Sequence, residues 1–209
     1  MKMKMKMTLK NTKTMIFGAA VCATILAGGM TKVFADDPAP TPVDQKNSQG
    51  QVAFKTPGAN ALILKSVADV NFGEHEISAN DETYKTETDT QSVVQDIRGT
   101  SAGWVLQVAQ NGQFKADKTE LTGAQIKLDA PTLDESSTAK ATPKTGVTLS
   151  ADGTASTIMS AAQGEGNGLA VEKFATGAAS LSVPGATVKN AGQYKTMLSW
   201  TLLDTPENA

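Results

Sequence analysis

Tyr194-Lys195-Thr196-Met197-Leu198-Ser199-Trp200-Thr201-Leu202 alternates without a break: Tyr, Thr, Leu, Trp and Leu on one side, Lys, Met, Ser and Thr on the other. In an extended chain, residues i and i+2 point to the same face. This stretch therefore reads as a strand with one apolar face. Its ending recurs as Trp104-Val105-Leu106, with Val108 in phase behind it. These are the two tryptophans of the chain. Each phrase aims an indole and a Leu in one direction. Two such pairs, far apart in sequence, predict two strands completing one hydrophobic layer.

Outward from these stretches, short apolar runs are punctuated by Gly, Pro, Asn and Asp. Strands are expected at 61–64, 67–72, 92–97, 104–109, 124–128, 147–150, 180–183 and 194–202. Asn111-Gly112 has the composition of a hairpin turn. Residues 133–146 read as a long polar loop, and 164–168, with three glycines, as a flexible segment. The nearest approach to an amphipathic helix, 154–163, is too rich in Ser, Thr and Gly. The expected fold is all-β: a β-sandwich, Ig-like or related, with long polar loops. Tyr194, just after Gly192 at a strand start, fits a tyrosine corner.

The N-terminal stretch has a different grammar. Lys2, Lys4, Lys6, Lys10 and Lys13 precede an apolar run, Met15 to Met30, and Val33-Phe34-Ala35 is a small-x-small site. This predicts a secretory signal peptide over 1–35, with an apolar run too short and Gly-rich for a good membrane span. Pro38, Pro40 and Pro42 mark a Pro-rich linker over 36–51, and the folded domain is expected over 52–209. Without the six lysines of 1–35, thirteen basic residues face twenty-one acidic ones. That balance argues against nucleic acid and against docking on anionic lipid; no membrane insertion of the mature chain is expected. Cys22, the only cysteine, lies in the apolar run after Val21, so neither lipidation nor a disulfide is expected. The C-terminal residues carry no LPxTG sorting motif and no hydrophobic tail. Retention at a surface is therefore expected to be non-covalent.

Catalytic signatures do not emerge. There is no G-x-S-x-G and no H-E-x-x-H. The pair Asp134-Glu135 falls in the polar loop, whereas glycosidase carboxylates need a fixed separation. The chain is read as not an enzyme, without cofactors. His75, the only histidine, has no second His or Cys for zinc and reads as a solvated loop residue; no EF-hand spacing supports calcium. Asp96 and Arg98 stand at i and i+2, and Arg98 is the only arginine. They suit either a bidentate structural pair or recognition of a ligand's carboxylate.

VVQDIRGTSAGWVLQV at 93–108, LTGAQIKL at 121–128, LSVPG at 181–185 and YKTMLSWTLLDTP at 194–206 form an ordered set. Together they closely resemble the WxL domain of Gram-positive surface proteins, over roughly residues 45–209. The resemblance implies a secreted protein of the cell wall and cell surface, attached non-covalently to peptidoglycan. It also implies an alternative: a structural component of a multi-protein surface complex, contacting a membrane-anchored WxL-interacting protein, other surface proteins or host matrix. Trp104, Leu106, Trp200, Leu202, Asp96 and Arg98 are the candidate wall-binding residues. The tryptophans have two readings, core or sugar-stacking platform; burying one indole removes about 150–250 Å² from water, and alternating neighbours favour the core.

Overall fold

The computed structural model describes residues 43, 44, 46–58 and 60–206. The expected signal peptide lies outside them, as does much of the Pro-rich stretch. The chain divides into two units, Met1–Gly50 and Gln51–Ala209, and the strands of the described residues belong to the second. Among the described residues there is no helix.

Three antiparallel four-stranded sheets share one core. In the first, β1 (Leu62–Ser66) pairs β3 (Thr90–Asp96), which pairs β12 (Gly168–Phe174), with β8 (Thr132–Leu133) outermost. In the second the order is β10 (Val147–Thr148), β7 (Gln125–Leu128), β13 (Ala179–Val183) and β2 (Glu82–Lys85). The third runs β14 (Leu198–Leu203), β4 (Trp104–Asn111), β11 (Asp152–Ala161) and β9 (Thr142–Pro143). Pro143 sits on an outermost strand, where a missing N–H costs no ladder bond. A two-stranded ribbon, β5 (Lys115–Ala116) and β6 (Thr119–Glu120), completes the set.

The core draws on all three sheets. Val94, Ala170 and Phe174 come from the first, Ile126, Leu128 and Leu181 from the second, and Trp104, Leu106, Val108 and Ile158 from the third. In β7 the alternation is plain: Ile126 and Leu128 are buried, Gln125 and Lys127 exposed. β4 is covered on both faces, since Val105 and Ala109 are buried beside the inward set. The all-β sandwich architecture expected from the sequence is therefore the one observed, with antiparallel sheets packed on a shared interior.

Several local expectations need correction. Residues 67–72 form no strand; they run irregularly and bury only Ala68 and Phe72. Asn111-Gly112 turns the chain but makes no hairpin, because β4 pairs with β11 and β14. Only Gly112 of the two has a positive φ, +91°. The 133–146 loop is polar in sequence, yet Ala139 and Ala141 are packed into the core. Residues 152–161, read as strandless, are the longest strand, and 168–174 is a central one. Bulges interrupt the β11 register between Asp152 and Ala155 and between Thr157 and Met159. Such bulges hide a period of two from a pattern search.

Candidate functional site

The two Trp-x-Leu phrases lie on neighbouring strands. β14 runs antiparallel to β4, with Leu202 opposite Leu106 and Trp200 opposite Val108. Directly opposed residues share a face, so both phrases contribute to one layer. Their environments differ because β4 is central and β14 outermost. Trp104 is 0 % exposed, as is Leu106. Trp200 and Leu202 are only partly buried against the same core.

Trp104 is held by its surroundings. Its Nε1–H donates to the Gly166 carbonyl at 3.2 Å. Gly166 has φ +87°, and a Cβ there would fall 2.6 Å from the Trp104 Nε1. The 164–168 segment, expected to be flexible, thus closes over the indole. A buried Trp N–H needs a partner, and only glycine lets the backbone come close enough to supply it.

Asp96 and Arg98 form a second fixed group. The Arg98 fork donates to both carboxylate oxygens, Nε to Oδ1 at 3.0 Å and Nη2 to Oδ2 at 2.8 Å. The Arg98 backbone N–H also donates to Oδ1 at 3.0 Å. Nη2 further reaches the Gly103 carbonyl at 2.7 Å, and Nη1 the Asp204 carbonyl at 3.3 Å. One guanidinium therefore ties the end of β3 to the approach to Trp104 and to the chain leaving β14. Burial by itself would raise the Asp96 carboxyl; the hydrogen bonds and charge of Arg98 overcome it and hold the group below its ordinary value. Four guanidinium hydrogen bonds are thus directed within the fold, in the geometry of a bidentate pair.

Beside β14 lies a groove of about 1040 Å³. Trp200, Tyr194 and the His75–Tyr84 pair are among its walls. The Tyr194 hydroxyl accepts from Asn190 N–H at 2.9 Å and donates to Asn190 O at 3.3 Å. That is the four-residue return expected of a tyrosine corner, and it fixes one wall. His75, expected to be merely solvated, stacks on Tyr84 with centroids 4.0 Å apart and planes 14° apart. Its Nε2 lies 2.5 Å from the Phe72 carbonyl. Phe72 meets Phe114 edge-on beneath, at 6.3 Å between centroids. Exposed Val67, Ile77 and Met197 also border the groove. Tyr84 was not singled out from sequence, since Glu82–Lys85 showed no apolar run.

Among the described residues, Gln110, Gln113 and Glu172 hold buried side-chain oxygens without a partner. Glu172 on β12 points inward between Ala170 and Phe174, 0 % exposed, with neither carboxylate oxygen hydrogen-bonded. Burial pushes its carboxyl up to about 8. Among the described residues no three His, Cys, Asp or Glu side chains converge into a metal-binding set.

Of the six candidate residues, Trp104 and Leu106 lie inside the core and Asp96 and Arg98 form the internal clamp. Arg98, Trp200 and Leu202 are partly exposed, and of the six only Trp200 lines the groove. A family model described as "WxL domain surface cell wall-binding" matches residues 31–206. No curated protein and no solved structure matches the chain. The clamp before the first phrase, the paired phrases on adjoining strands and the match over most of the length agree: the chain belongs to the WxL domain family of surface, cell wall-binding proteins.

Proposed function

We propose that this protein is exported through the signal peptide 1–35, spaced by the Pro-rich linker 36–51, and attached non-covalently to peptidoglycan by its β-domain, 52–209. The groove beside β14 is the contact surface. The observation that carries this reading is the partial exposure of Trp200 at an aromatic-walled groove, while its counterpart Trp104 is sealed in the core. Indole and phenol faces are suited to stacking on sugar rings, and half-buried rings keep their orientation before a ligand arrives. Gln193 on the same groove offers an amide donor and acceptor for hydroxyl and acetamido groups.

A second reading has its own support. Exposed Val67, Ile77 and Met197 at the groove border form an apolar rim, which suits a protein surface better than a sugar. In that reading the protein is an assembly component whose groove receives a WxL-interacting protein. Pelleting with protein-stripped sacculi separates the two. Sedimentation of the purified protein with bare sacculi supports direct attachment. Sedimentation only after a wall-bound partner is added supports the assembly reading.

A further inference from the structure

β14 leaves an unguarded edge. It is outermost in its sheet and pairs with β4 alone. Asn111 N–H donates to the Met197 carbonyl at 2.9 Å. This sets the odd-numbered residues of the strand in hydrogen-bonded pairs with β4, so the N–H and C=O groups of Leu198, Trp200 and Leu202 point outward. Among the described residues no strand covers them. Natural edges are usually blunted by a Lys, a Pro or a bulge. Leu198-Ser199-Trp200-Thr201-Leu202-Leu203 has no charge and no proline, and its register with β4 shows no shift.

The same strand is complementary to itself when reversed. With a two-fold axis at Trp200, Leu198 lies opposite the partner's Leu202, and Ser199 opposite the partner's Thr201. Met197, 69 % exposed, meets the partner's Leu203, 38 % exposed. Continued past the strand ends, this register sets Lys195 opposite the partner's Thr205 and Asp204 opposite the partner's Thr196, so no like charges face each other. We propose that a second copy of this chain docks antiparallel along β14, joining two four-stranded sheets into one that runs through the dimer. The closed, isologous symmetry is the commonest kind for such contacts. Two short edges bury less than the roughly 1,200 Å² typical of stable complexes, so the dimer forms by mass action, favoured where copies crowd on a surface.

The test is a charge exchange across the proposed Met197–Leu203 contact. Both side chains are exposed, so Met197→Lys and Leu203→Glu leave the fold intact, which circular dichroism verifies. Sedimentation velocity of the purified protein, from micromolar to millimolar, is expected to show monomer and dimer in concentration-dependent proportion. Each variant alone should weaken association about tenfold or more, because an unpaired charge is set against an apolar side chain. An equimolar mixture of the two variants should restore it, since the ammonium introduced in one copy then faces the carboxylate introduced in the other. A protein that stays monomeric at every concentration overturns the proposal. So does association that neither substitution weakens, or that the mixture does not rescue. Loss of association with Val52→Ser/Phe54→Ser, but not with the β14 variants, would reassign the contact to the exposed N-terminal segment and equally overturn it.

Discussion

Arg98 shows how much one side chain fixes in this fold. Its donors serve Asp96, Gly103 and the chain after β14, and a lysine would keep the charge while losing the fork. Arg98→Lys is expected to cost about 1–3 kcal/mol in urea unfolding; an unchanged midpoint would mean that the clamp contributes nothing. Glu172 is the opposite case, a carboxyl with no partner at all. Its folded value, about 8, lies above the ordinary 4.5. The folded state therefore holds the proton more tightly. Stability is full below the unfolded value, falls as pH rises between the two, and levels off above about 8. Asp96 acts in the reverse sense: lowered in the fold, it contributes above its unfolded value and that contribution is lost as pH falls through the folded one. Maximum stability is thus expected in mildly acidic solution. Glu172→Gln should remove the fall in stability between these two values and raise stability near pH 8 by a few kcal/mol, on the scale of about 1.4 kcal/mol per pH unit. Thermal melts across pH that leave the slope in place would show that Glu172 does not titrate in this way.

At the scale of elements, the position of a strand in its sheet decides what its residues do. β4 and β14 carry the same phrase, yet β4 is flanked on both sides and β14 on one. Trp104→Ala removes a fully buried indole and strands the Gly166 carbonyl, so about 3–5 kcal/mol of stability should be lost. Trp200→Ala at the open edge should cost clearly less and leave a folded protein. Equal losses in chemical denaturation would contradict this division between core and surface. The same contrast explains what could be read from sequence. β4 and the end of β14 were legible because Trp, Leu and Val recur in strict alternation. β11 was not, because Asp152-Gly153-Thr154-Ala155-Ser156-Thr157 offers small and polar residues and two bulges shift its phase. β12 was hidden by Glu172, an acid in an inward position. The clamp was visible as a spacing of two around the only arginine; the groove was not, since its walls come from residues far apart in the chain.

At the scale of the molecule, three sheets without a disulfide among the described residues rest on one interior built from all of them. Family membership supports a place at the cell surface, and the distribution of burial is what the proposed contact surface rests on. The buried phrase sits inside the sheet, and the proposed contact surface is the edge phrase with the groove beside it. The measurement that tests this most directly is co-sedimentation of Trp200→Ala with protein-stripped sacculi, on material shown by circular dichroism to be folded. A native β spectrum is expected, with binding reduced several-fold relative to the unmodified protein. A folded variant that sediments with sacculi as fully as the unmodified protein would contradict it.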